Sequence, residues 1–165
     1  MQLARQTIEE HVRTGRRIQV PKGLPWELYS QRAGAFVSIK EDGQLRGCIG
    51  TIQAVRGSLA EEIIDNAISA SSRDPRFPAV EPEELDRLVI SVDVMGETEP
   101  VDSPDELDVK RYGVIVSKGH KRGLLLPNLE GVETVEEQID IAKRKAGISR
   151  DEEVRLERFE VVRHE

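Results

Sequence analysis

The sequence predicts helices packed on mainly antiparallel sheet, an α+β fold, and three observations carry that expectation. Two short alternating segments flank the turn dipeptide Asp42-Gly43, the local signature of a β-hairpin. Two capping boxes, Ser58 with Glu61 and Thr134 with Glu137, each open a run of helical period. Helix and strand signals alternate along the chain without any low-complexity stretch.

Taken in order, Ala4, Ile8, His11 and Val12 mark one face of a first helix, and Gly15 is its natural stop. Pro21, Gly23 and Pro25 form a loop leading to Trp26. Ala35, Val37 and Ile39 alternate as a strand over 35–40, and the return strand runs 45–51. Ser58 caps a helix carrying Leu59, Ile63, Ala67 and Ala70, which ends near Arg73. Glu81-Pro82 opens a short helical turn through Leu85, and Leu88, Ile90, Val92 and Val94 alternate over a clear strand. Ser103-Pro104 has the form of another helix start. Val114 to Val116 is a strand turning at Lys118-Gly119, Leu124 to Leu126 is a buried strand ended by Pro127, and Gly147 closes the Thr134 helix. Val154 to Val162 is expected as one final strand, with a bulge near Arg158 where its alternation breaks.

At 165 residues the chain is one domain, or two small subdomains sharing a core. Only 4% of residues are aromatic against 38% hydrophobic, so aliphatic packing must dominate. The net charge of -7 argues against general binding to nucleic-acid backbones, which requires basic excess. No apolar run approaches the roughly 18 residues of a membrane span, and the N-terminus lacks a signal peptide's apolar segment. One cysteine forms neither an intrachain disulfide nor a cysteine-based zinc site. A cytoplasmic location is the expectation.

The chain also resembles itself. Glu27-Leu28, Arg32, Gly34, Val37 and Ser38 recur as Glu106-Leu107, Arg111, Gly113, Val116 and Ser117. After a shortening before the turn, Gly43 matches Gly119, Arg46-Gly47 matches Arg122-Gly123, and Ser58 with Glu61 matches Thr134 with Glu137. Halves 27–72 and 106–147 would each be a hairpin followed by a capped helix, which points to an internal duplication. Cys48 is replaced in the second half by Leu124, so only the first half carries the polar version.

Chemistry concentrates in Leu45-Arg46-Gly47-Cys48-Ile49-Gly50. Cys48 is the candidate nucleophile, because a nearby cation favours the reactive thiolate. Arg46, two residues away, would share its strand face and hold an anionic ligand beside it. Gly47 and Gly50 are expected to leave the strand open to a ligand. The competing expectation is a buried cysteine packed as a small hydrophobe. Asp74-Pro75-Arg76-Phe77-Pro78 is a rigid loop, in which Asp74 and Arg76 are candidate binding residues. His120, among Lys118, Lys121 and Arg122 on a hairpin turn, is a further candidate able to titrate near neutrality. The chain has no Walker loop, dinucleotide fingerprint or nucleophile elbow, and its three histidines are scattered, so no cofactor is expected.

With Leu3-Ala4-Arg5, Gly123-Leu124-Leu125-Leu126-Pro127 and Lys145-Ala146-Gly147 added to these two motifs, the chain resembles the AMMECR domain family, protein A of the AmmeMemoRadiSam systems. The resemblance covers nearly the whole chain. It implies an α+β fold of two subdomains with the cysteine motif at a cleft. It also implies two partners, a Memo-type protein and a radical S-adenosylmethionine enzyme. The chain departs from the family at Asn128-Leu129-Glu130-Gly131, where many members continue differently, and at Lys143, where many carry a second cysteine. A mechanism that needs a cysteine pair is therefore not expected.

Two classes of function follow. One is a component that binds a substrate, an anionic small molecule or a partner through the cysteine motif. The other is an enzyme with Cys48 as nucleophile, Arg46 and Arg76 as anion holders and His120 as base, acting on a small molecule or RNA. The first is favoured, because nucleophilic catalysis needs a base within reach and the sequence names none beside Cys48.

Overall fold

Asp42 and Gly43 both take positive φ, 53° and 80°, the left-handed pair that a two-residue hairpin loop requires. They join β1 (Ala35–Glu41) to β2 (Gln44–Gly50) in antiparallel pairing. The structure, a computed structural model, describes residues 2–165 and falls into two units. The first is the chain through Met95 together with Val162–Glu165; the second is Gly96–Val161.

In the first unit, Leu3, Ala4, Thr7 and Ile8 form the buried side of α1 (Gln2–Thr14), and Gly15 ends it with φ 75°. A five-residue helix, α2 (Trp26–Ser30), follows the proline-rich loop; the sequence signals do not reveal it, being too short for any periodicity. The hydroxyl of Ser58 accepts from the Glu61 backbone N–H and starts α3 (Leu59–Ser72), as its capping box predicts. A 3₁₀ turn over Pro82–Arg87 leads into β3 (Leu88–Met95), which pairs antiparallel with β1. Alternate residues Ala35, Val37 and Ile39 of β1 and Ile90 and Val92 of β3 meet Ile63, Ile64 and Ala67 of α3 in one aliphatic core. The last strand, β8 (Val161–His164), completes the sheet order β2-β1-β3-β8. Its Arg163 grips buried Asp93 with two hydrogen bonds of 2.7 and 3.0 Å.

In the second unit, β4 (Glu99–Val101), β5 (Gly113–Lys118), β6 (Lys121–Leu125) and β7 (Arg155–Phe159) form a sheet of order β4-β7-β5-β6. Helix α4 (Val135–Ala146) is capped by Thr134 and closed by Gly147 at φ 72°. Leu107, Val114, Val116, Leu125 and Ala142 lie in its separate core. The protein is thus α+β with two antiparallel four-stranded sheets.

Two expectations need correction. The segment 154–162 is two strands, not one: it breaks at Glu160, and β7 and β8 join different sheets. No register shift occurs at Arg158, which pairs regularly with both Glu99 and Val114. The irregularity lies instead between Ile39 and Lys40, where Arg46 is the extra residue on β2. The strand β4 is three residues long and contains Pro100, so its signal is weak. Both units do run hairpin, capped helix, third strand, with matching sheet orders β2-β1-β3 and β6-β5-β7. Shared topology of this kind does not confirm a duplication.

Candidate functional site at the edge of the first sheet

Cys48 sits on β2, the edge strand of the first sheet, and is partly buried. It stands opposite Ser38 of β1, and its Sγ lies 3.3 Å from the Ser38 hydroxyl. Ser38 in turn pairs with Ser91 of β3, so Cys48, Ser38 and Ser91 form one polar row on the sheet face turned away from α3. Neither serine is among the site residues expected from the sequence. Their signal was available, since each occupies the outward place in an alternating strand, between Val37 and Ile39 and between Ile90 and Val92.

The Asp-Pro-Arg-Phe loop closes on the outer edge of β2. Asp74 is almost fully buried, and its carboxylate accepts from the Cys48 backbone N–H at 3.0 Å. It also accepts from the Arg76 backbone N–H, Nε and Nη2 at 3.0, 3.0 and 2.8 Å. The bond two residues onward is an Asx turn, and Pro75 restricts its φ. Arg76 Nη2 reaches the Cys48 carbonyl at 3.3 Å. Both main-chain groups of Cys48 on the edge are therefore met by side chains of one loop. The Arg76 hydrogen bonds, foremost among the causes, hold the Asp74 carboxyl down at about 2. The Arg76 side chain remains 51% exposed, with its guanidinium 5.4 Å from the centre of the Phe77 ring.

Arg46 has a different task. The bulge interrupts the alternation that would give it a common face with Cys48, and its guanidinium turns to Glu84 in a two-pronged pair of 2.9 and 3.0 Å. It also donates to the carbonyls of Pro78 at 2.8 Å and Ala79 at 3.3 Å. Arg46 is a brace between β2 and the segment after the Asp-Pro-Arg-Phe loop, and Glu84 is held at about 2 chiefly by its hydrogen bond to Arg46.

The glycines of the motif serve packing. A Cβ on Gly47 would lie 2.2 Å from the Ala70 carbonyl oxygen of α3, and one on Gly50 would lie 2.3 Å from the Phe36 ring. Their bare backbones are occupied by the protein's own atoms, which replaces the expectation of a strand left open to a ligand. Gly123 repeats the contact in the second unit, 2.1 Å from the Ala142 carbonyl oxygen. The structure thus brings Cys48, Asp74 and Arg76 together and puts Arg46 at the far end of the same loop. His120 is exposed on the β5–β6 turn of the second unit. Among the described residues no group of three or more histidine, cysteine or acidic side chains is arranged to hold a metal, and no helix is long and apolar enough to cross a membrane.

These features define a two-unit α+β protein whose single cysteine lies on a strand edge sealed by an Asp-Arg loop. The chain belongs to the AMMECR1 family, whose profile matches residues 1–164. A Thermotoga maritima protein is 55% identical over 159 residues, covering 95% of this chain and 91% of its own length. A Clostridium acetobutylicum protein is 50% identical over 165 residues but is much longer, the match spanning 35% of it. The crystal structure of an uncharacterized protein from Pyrococcus horikoshii matches with a TM-score of 0.91 at 36% identity, covering 98% of this chain and 87% of that one.

Proposed function

We propose that the protein is a binding component of an AmmeMemoRadiSam-type system, and that the surface around Cys48 and Arg76 holds the anionic group of a small molecule or partner. The observation that carries this reading is the Arg76 guanidinium, half exposed and fixed along one edge by Asp74. That pairing orients the fork and leaves the Nη1 donors for an incoming anion, a geometry suited to carboxylate or phosphate. The Memo-type protein and the radical S-adenosylmethionine enzyme are the proposed partners, from the family resemblance.

Recognition is favoured over nucleophilic catalysis by the neighbours of the thiol. A carboxyl held at about 2, already accepting four N–H bonds, is a very weak base. The Ser38 hydroxyl beside Sγ does not act as a base at neutral pH. His120 is not required by this reading.

Native mass spectrometry of the protein purified under mild conditions tests it. The wild-type chain is expected to carry a bound mass that Arg76→Gln loses at a temperature where circular dichroism shows the variant folded, because removing the guanidinium also strips Asp74 of its partner and lowers stability. Equal retention by Arg76→Gln, or no retained mass from cells that also express the two proposed partners, would overturn the reading.

A further inference from the structure

A second site lies on the helical side of the first unit, where α1, α3 and the loop after β2 enclose a cavity of about 250 Å³. Glu62, Asn66 and Ser69 follow one another along α3 at spacings of four and three, a stripe facing the cavity, and Arg73, which caps the end of the helix, lines it next to them. The floor is a buried polar network. Glu62 accepts from Thr51 Oγ1 at 2.7 Å and from the backbone N–H groups of Val55 and Arg56 at 2.9 and 3.0 Å. Asn66 donates through Nδ2 to the Ala35 carbonyl at 2.9 Å and to Thr51 Oγ1 at 3.2 Å. Asn66 is only 6% exposed, yet its Oδ1 accepts from no described residue, and what accessible surface it has lines the cavity. This oxygen keeps accessible surface and is an acceptor open to a donor that enters the cavity.

The rest of the wall carries both signs of charge. Asp65 is shared by Arg17 at 2.8 Å and Arg56 at 2.6 Å, while Arg73 offers an exposed guanidinium with no side-chain bond among the described residues. Helices α1 and α3 both end here, and each C-terminus contributes roughly half a negative charge. Three arginines are therefore nearly balanced by Asp65, Glu62 and the helix ends. A plain anion gains little from such a field. A ligand with separated charges gains at both ends.

We propose that this cavity binds a small zwitterion of the α-amino-acid class, its carboxylate on Arg73 and its ammonium on Asn66 Oδ1. Ser69 lies between the two along the chain and offers a hydroxyl to either group. The volume, below the roughly 300–1,000 Å³ of drug-sized pockets, suits a molecule of few heavy atoms. This site is independent of the Cys48 surface and stands or falls separately from it.

Isothermal titration calorimetry on the full chain tests the proposal, with the proteinogenic L-amino acids as probes. For each amino acid that gives saturable heat, its des-amino carboxylic acid, its decarboxylated amine and inorganic phosphate are titrated as comparisons. At least one amino acid is expected to bind, with the comparisons weaker by roughly tenfold or more. Arg73→Gln is expected to lose affinity by a similar factor while melting like wild type, since Arg73 is exposed. Absence of binding by every amino acid, equal binding of the carboxylic acid or phosphate, or unchanged affinity in Arg73→Gln would overturn it.

Discussion

The backbone N–H of Cys48 donates to the carboxylate of Asp74 at 3.0 Å, across 26 positions of sequence. With Arg76 on the Cys48 carbonyl, one acidic and one basic side chain stand in for the neighbouring strand that the edge lacks. An edge strand with unpaired main-chain groups invites pairing with other chains, and this loop covers the centre of that edge.

Replacing Asp74 with Asn removes the charge that binds the Arg76 guanidinium and leaves a weaker acceptor for Cys48. Asp74→Asn is expected to lower unfolding free energy by about 2 kcal/mol, measured by urea denaturation. A loss below about 0.5 kcal/mol, the range of ordinary surface substitutions, would show that the loop does not fasten the edge.

Acid should undo the same bonds. Asp74 and Glu84 are each held at about 2, against ordinary values of 3.8 and 4.5, by their hydrogen bonds to Arg76 and Arg46. A folded-state value below the unfolded one means that the stabilisation is complete above the unfolded value and drains away as pH falls towards about 2. Denaturant midpoints measured from neutral pH downwards are expected to fall through that window. The Arg46→Ala variant, lacking the partner of Glu84, is expected to start lower and to fall less steeply. A parallel decline in both proteins would remove Glu84 from the account.

Gly47 is predicted to tolerate no side chain. Gly47→Ala puts a methyl group against the Ala70 carbonyl oxygen, so β2 and α3 must separate, with a loss of about 2–3 kcal/mol in thermal unfolding. Gly123→Ala should do the same in the second unit through Ala142. Gly43→Ala meets no atom within 4 Å, so any loss there reflects its positive φ alone and serves as the comparison.

Cys48 distinguishes packing from function. Because Ser38 stands opposite, a serine at 48 finds a hydroxyl partner, and Cys48→Ser is expected to remain within about 1 kcal/mol of wild type, as is Cys48→Ala. Both are expected to lose the bound mass or partner in the native mass measurement. A Cys48→Ser protein that is strongly destabilised yet retains its ligand would make the thiol a packing group.

Local chemistry explains what was legible beforehand. Asp42-Gly43, the caps at Ser58 and Thr134, the stop at Gly147 and the alternation of Val37, Ile39, Ile90 and Val92 each act within a few residues, and each has the conformation its signal predicts. The candidate site was half legible. Cys48, Asp74 and Arg76 stood out as residue types in unusual contexts, whereas Ser38 and Ser91 became neighbours of the thiol only through strand register.

Neighbours along the chain settle turns, caps and strand alternation, so most elements and the concentration of reactive side chains in two short motifs were legible beforehand, whereas α2, β4 and the division of β7 from β8 were not. Only the tertiary structure decided what those side chains do. Arg46 braces Glu84 because a bulge turns it aside, Gly47 is bare because a helix carbonyl sits against it, and β8 leaves the second sheet for the first. Each of these depends on a partner tens of residues away, whose position is set by burial of the whole core and not by any local preference.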